Sequence, residues 1–303
     1  MEKRDKRIRT YEDGLRVAPL LVPAATITTM VFIIPLAMFF RYSLNQYIPG
    51  KFMETAFTLD SFKTILSDNY YYSIMWRTIK MALLATSITL FCAYPVAETM
   101  ARTKGGKKSA FVIALVFPMM LGSVIRSMGW MGLLSKSGLV NKLLIQMGII
   151  EEALKLMYTE GAVIAAVISM ELPLMILTLV TAIESINPDL EQAALNMGAS
   201  KAQAFLRIKL PLTVPGIIAG TSLVFVQSMN TYSTAKMIGG AKIQTMATAI
   251  YAEMNELLNW PAAAALSLIL LVFTLAVTYV YAHILGSGYC RFPPVIHRHG
   301  SIS

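Results

Sequence analysis

Residues 184 to 215 read ESINPDLEQAALNMGASKAQAFLRIKLPLTVP, a polar insert between two long apolar runs, Gly161 to Ile183 and Val214 to Ala235. The insert punctuates two short helices. Asn187 is a good N-cap with Pro188 at the first helical position, and Gly198 supplies a left-handed stop. Ser200 and Gln203 then form a capping box for a second helix that Pro211 is expected to end. In the first helix Leu190, Ala193, Ala194 and Met197 fall at i, i+3, i+4 and i+7 and make one small apolar face. A helix this short is marginal alone in water, so its face requires a partner surface, and its alanines allow a close approach to a groove.

The runs on either side of this insert are each near the ~20 residues that a helix needs to cross about 30 Å of hydrocarbon. Four further runs of that length occur, Val17 to Phe40, Thr78 to Ala97, Ala110 to Met131 and Ala262 to Leu285. The chain has 303 residues, of which 56% are hydrophobic and 14% charged, against roughly 25% charged in an ordinary soluble domain. None of the runs alternates with period two, and in lipid every backbone polar group must be satisfied within its own helix or a closed barrel. An all-α membrane protein of six transmembrane helices follows, with a basic arm at residues 1–16, a membrane domain at 17–285 containing the inner loop 184–213, and a tail at 286–303. The basic arm resembles the start of a secretory signal, but the run after it exceeds the about 7–15 residues of a cleavable core, and an uncleaved first span is expected.

The net charge of +9 suggests nucleic acid until the charges are located. Lys3, Arg4, Lys6, Arg7, Arg9 and Arg16 precede the first span; Arg102, Lys104, Lys107 and Lys108 follow the second; Lys201, Arg207 and Lys209 lie in the loop after the fourth. The intervening outer segments are longer and poorer in basic residues. By the positive-inside rule both termini are cytoplasmic and the partner of the charge is the anionic leaflet, with no role for nucleic acid. The outer segment from Arg41 to Arg77 carries aromatics suited to the headgroup belt, and Lys136 to Tyr158 reads as one or two short amphipathic helices on the outer face.

Two cysteines, Cys92 and Cys290, and three histidines, His283, His297 and His299, provide no metal or disulfide framework. The inner loop RTKGGKKS, Arg102 to Ser109, lacks the first glycine and the closing Ser or Thr of a phosphate-binding loop, having Ala101 and Lys108 there. No catalytic constellation and no bound cofactor are expected.

Ionisable residues within spans are costly and mark functional positions. Arg126 lies deep in the third span and Glu171 in the fourth beside Pro173. Two readings stand: Glu171 meets a cationic solute group with Arg126, Trp130, Gln227, Ser228, Asn230 and Tyr232 lining its path, or Arg126 and Glu171 pair with each other and hold the spans together.

The run EQAALNMGASKAQAFLRIKLP, Glu191 to Pro211, closely resembles the cytoplasmic EAA loop of binding-protein-dependent ABC importer permeases, with Gln192, Ala193, Ala194, Gly198, Ile208, Leu210 and Pro211 in register. The family's Glu falls on Gln192, with Glu191 one position earlier. From about Phe57 to Leu285 the order of features is similar to the polyamine, opine and related type I importers: Tyr94-Pro95 with Ala101-Arg102, Pro118 with Ile125-Arg126, Leu172-Pro173, and PLTVPGIIAG at Pro211 to Gly220. The resemblance is strongest to the spermidine/putrescine and opine permeases. It implies the MetI-like permease fold, a second permease subunit as heterodimer partner, two ATPase subunits that hold the ATP and Mg, and a periplasmic or extracellular solute-binding protein. It also implies that Leu190, Glu191, Gln192, Ala193, Ala194, Met197 and Gly198 couple the chain to the ATPase. The solute would be a polyamine, opine or amino-acid-like compound crossing the bacterial inner membrane. A secondary transporter or channel for a small cationic solute is the alternative, although inverted repeats and a midplane proton relay are missing from the sequence.

Overall fold

The computed structural model describes residues 2–50 and 53–289. Twelve α-helices follow in order among them: α1 (Glu2–Ser43), α2 (Asp60–Ser67), α3 (Asn69–Arg102), α4 (Gly106–Met120), α5 (Ser123–Leu134), α6 (Leu139–Gln146), α7 (Glu160–Glu184), α8 (Asp189–Asn196), α9 (Lys201–Ala204), α10 (Leu210–Met229), α11 (Met246–Tyr251) and α12 (Trp260–Tyr289). Cys290, His297, His299 and the rest of the expected tail from 290 onward lie outside the described residues, while His283 is in α12.

Five helices are long and apolar enough to cross a membrane, and α4 with the stretch Ser123–Gln146, which holds α5 and α6, makes a sixth crossing only as a bent pair, turned by 94°. The expected straight span Ala110 to Met131 is therefore broken. The cause is local: Pro118 lies in the last turn of α4, Leu121 is extended, and Gly122 starts α5, so the helical ladder stops and restarts. The outer segment 136–158 holds one short helix, α6, whose following chain is tied down by the buried Asn141, which donates to the Ser135 and Leu154 carbonyls.

The chain divides into two compact units. One contains the residues up to Ser67 together with Ala252–Ile269. Within it Arg41 lies over the Phe57 ring at 4.4 Å and donates to the Ala56 carbonyl at 3.0 Å, folding the segment after α1 back on itself. The other contains Asp68–Tyr251 and continues from Leu270. Its centre is α7, which packs on both α3 and α10. One apolar cluster joins Ala93, Ala97 and Met100 of α3 to Met175, Ile176, Leu179 and Ile183 of α7 and Val224 of α10. A second joins Met81 and Ala85 of α3 to Ala162, Val163 and Ala166 of α7 and to Ala235 and Ile238. Apolar burial drives little association between helices in lipid, so close packing of small residues decides the contact. At Gly216 of α10 an added Cβ would overlap that of Ala182 in α7.

Candidate functional site

The inner loop is built as its caps dictate. The Asn187 side chain accepts from the Asp189 N–H at 2.9 Å, Gly198 takes φ +90°, and both arms of the Ser200–Gln203 capping box are formed. Pro211, however, does not end the second helix. A π turn at Phe205–Lys209 carries α9 into α10, with Pro211 in the first turn of α10, so the helix runs on through the proline at the loss of one ladder hydrogen bond.

On α8, Leu190 is 45% exposed and Gln192 and Ala193 are also exposed, and Met197, which caps the helix, is 88% exposed. Glu191 turns the other way. Its carboxylate accepts from Arg102 Nη2 at 3.0 Å and lies 3.5 Å from Lys209 Nζ. Burial pushes this carboxyl up, but the Arg102 hydrogen bond and the Lys209 charge outweigh it and hold the group below the usual carboxylate range. Arg102 and Lys209 are in turn both paired to Glu98. Glu98 was not singled out from sequence, Lys209 only as an inner basic residue, and Arg102 as an inner basic residue and in the family-like Ala101-Arg102 pair, none of them as members of one cluster; a carboxylate four residues before Arg102 at the end of a span was the available signal.

In the membrane interior, α5 faces α7. Arg126 Nη1 donates to the Met170 carbonyl at 3.1 Å, and Trp130 Nε1 donates to Ser169 Oγ at 2.8 Å. Met170 is in the turn before Pro173, where the helix ladder is interrupted. Arg126 thus reaches the backbone beside Glu171, and the ion pairs formed by the described residues do not include one between Arg126 and Glu171. Glu171 is half-buried and near enough to feel the Arg126 charge.

The expected span Val214 to Ala235 ends early. Asn230 caps α10 after Met229, so Asn230 and Tyr232 lie on the turn beyond the helix, while Gln227 and Ser228 are in its last turn. Polar side chains one residue apart compete for the helix's last carbonyls, as Asn230 Nδ2 does at Val226. The turn is fastened to α5 and α7 through Thr234, whose hydroxyl meets Ser127 Oγ at 3.2 Å and Met170 Sδ at 3.3 Å. Arg126, Trp130 and Glu171 are therefore neighbours of one α5–α7 seam. Tyr232 stacks on Tyr251 at 4.5 Å, and Ser228 faces a narrow cleft lined also by Thr78, Val163 and Thr245.

A family model described as the binding-protein-dependent transport system inner membrane component matches residues 110–285. The spermidine/putrescine transport system permease protein PotB of Escherichia coli K12 is 34% identical over 232 residues, covering 77% of this chain and 84% of that protein. The protein of the same name from Haemophilus influenzae is 34% identical over 232 residues, covering 77% of this chain and 81% of its own. Among solved structures, a chain of a bacterial alginate ABC transporter in complex with an alginate pentasaccharide-bound periplasmic protein superposes with TM-score 0.72 at 21% identity. It covers 90% of this chain and 96% of that one, which is a likeness of fold.

Proposed function

This chain belongs to the family of binding-protein-dependent transport system inner membrane components, and on that premise we propose that it forms the solute path for a polyamine or related amine and is driven through α8. It is a multi-pass inner-membrane permease subunit of an ABC importer, a transporter part rather than an enzyme, and it moves a small polar solute with the ATPase on a partner. The MetI-like fold suits that role.

Drive through α8 is supported by its geometry: an eight-residue helix outside the spans, anchored on one face by Glu191 and presenting Leu190 and Met197 on the other. Such a helix is stable only against a second surface. Leu190, Gln192, Ala193, Ala194 and Met197 contact the ATPase, Gly198 sets the turn, and Glu191 holds the helix to its own chain. With Glu191 engaged internally, Gln192 meets the ATPase through its amide. An exposed ion pair in its place contributes about 1 kcal/mol or less, so the exchange is tolerable. Two ATPase subunits, a second permease subunit and a solute-binding protein on the outer side complete the assembly.

An amine as solute is supported by Glu171, an intramembrane carboxylate that forms no ion pair with Arg126, and by the names of the two relatives. Arg126, Trp130, Gln227, Ser228, Asn230 and Tyr232 line the path on this reading. The test is co-purification with the products of neighbouring genes and reconstitution in proteoliposomes. Vanadate-sensitive ATP hydrolysis and ATP-dependent uptake of labelled spermidine, both requiring the binding protein, are expected. Uptake by this chain without any ATPase would sink the reading and favour an ion-driven carrier.

A further inference from the structure

Four charges at the inner end of the membrane domain close into a ring. Glu98 pairs with Arg102 and with Lys209; Glu191 pairs with the same Arg102 at 3.0 Å and the same Lys209 at 3.5 Å. Each carboxylate touches both cations, so the ring is neutral and no single member can be removed without leaving an uncompensated charge. Lys209 is only 7% exposed, which makes such an imbalance expensive. The members come from three places: Glu98 and Arg102 from the last turns of α3, Glu191 from α8, and Lys209 from the end of the π turn that opens α10. Helix α8 reaches α3 and the base of α10 through the ring, and α3 and α10 both pack on α7.

We propose that this ring transmits movement of α8 to α3 and α10, so that Glu98 and Lys209, which contact neither ATP nor solute, are positioning residues for coupling hydrolysis to transport. The proposal rests on the importer reading given above. Two observations favour transmission over a static staple. The π turn at Phe205–Lys209 is an over-wide turn at the foot of α10, a geometry frequent at functional sites. Glu98 Oε2 is buried without a hydrogen-bond partner among the described residues, so an acceptor is open onto which Arg102 or Lys209 can move when Glu191 is drawn away. The ring thus has a second arrangement available using its own atoms.

The test uses the complete importer in proteoliposomes and reads the ratio of binding-protein-stimulated to basal ATP hydrolysis, with complex yield measured alongside. Glu98→Gln and Lys209→Met should each lower that ratio roughly five- to tenfold at parental yield, a fall typical of lost coupling between sites. Lys209→Arg, which keeps the charge and the reach, should restore it. Should Lys209→Met fail to assemble, the double variant Glu98→Gln/Lys209→Met leaves Arg102 and Glu191 paired and no buried excess charge, and its ratio is read instead. A parental ratio in Glu98→Gln together with either Lys209→Met or the double variant overturns the ring as a transmitter. A parent complex whose uptake needs no ATPase overturns the importer reading itself, a result visible before any variant is made.

Discussion

Glu171 and Glu191 are both carboxylates beside cations, and their surroundings separate their roles. Glu171 is half-buried within a span, and Arg126 spends its Nη1 donor on the Met170 carbonyl. Replacing Glu171 by Gln therefore removes no ion pair from the seam between α5 and α7. The Glu171→Gln importer is expected to assemble at parental yield and to lose roughly tenfold in amine uptake, the loss of one charge-assisted hydrogen bond of about 1.5 kcal/mol. Uptake at the parental rate would take Glu171 off the path. Glu191, outside the spans, has its carboxyl held below its usual range, chiefly by Arg102 against the opposing effect of burial. A depressed carboxyl contributes stability that is present above its unfolded value and is lost as the pH falls through the folded one. The tether of α8 is thus intact at neutral pH and released only below the ordinary carboxylate range of about 4. Arg102 and Glu98 of α3 and Lys209 face Glu191, and Lys104 and Glu184 border the same cleft. Because Glu98 and Glu184 are carboxylates too, Glu191→Gln is the control. Limited proteolysis of the purified permease across residues 187–198 should accelerate on acidification in the parent, whereas Glu191→Gln should be cleaved readily already at neutral pH.

Helix packing makes a sharper distinction between two glycines of α10. A Cβ at Gly216 would overlap that of Ala182, which is fixed to the α7 backbone, whereas one at Gly220 would meet Met175 Sδ at 2.9 Å, the end of a flexible side chain. Alanine raises helix propensity by about 1 kcal/mol at either site, so propensity alone ranks both substitutions as stabilising. Overpacking of about 1–3 kcal/mol outweighs it where the neighbour cannot yield. Gly216→Ala should lower the thermal midpoint of the detergent-purified protein, and Gly220→Ala should leave it near the parent. Equal midpoints would mean that α7 and α10 are free to separate. Neither distinction is legible in PLTVPGIIAG, because both depend on which residue of another helix lies opposite. The caps of α8 and α9 were legible, since Asn187, Gly198, Ser200 and Gln203 act within four residues of themselves. The continuity of α9 into α10 was not: Pro211 reads as a stop or as a first-turn residue by sequence alone, and the π turn before it selects the second.

For the whole molecule, the legible part is what composition and local order encode, and the hidden part is what distant residues do together. Glu98 and Lys209 are 111 positions apart, and nothing near either announces the other. The 94° break between α4 and α5 was masked by hydropathy, which runs on through Pro118 and Gly122. Sidedness has both kinds of support. Along α3, Lys80 and Arg102 are about 33 Å apart at ~1.5 Å per residue, close to the thickness of the hydrocarbon core. Lys80 and Arg77 pair with Glu160 at the start of α7, while Lys108 pairs with Glu184 at its end. Charged collars therefore mark both ends of α7, matched by Lys80 and Arg102 on α3, with long, mainly apolar intervals between them. The greater density of basic residues predicts that the Arg102–Lys209 end is cytoplasmic. With Cys92 and Cys290 replaced by Ser, a cysteine at Lys142 in α6 should react with a membrane-impermeant maleimide in intact cells stripped of their outer barrier. A cysteine at Lys201, at the start of α9, should react only after lysis. The opposite pattern would place α8 outside, out of reach of any ATPase, and would remove the physical basis for drive through that helix.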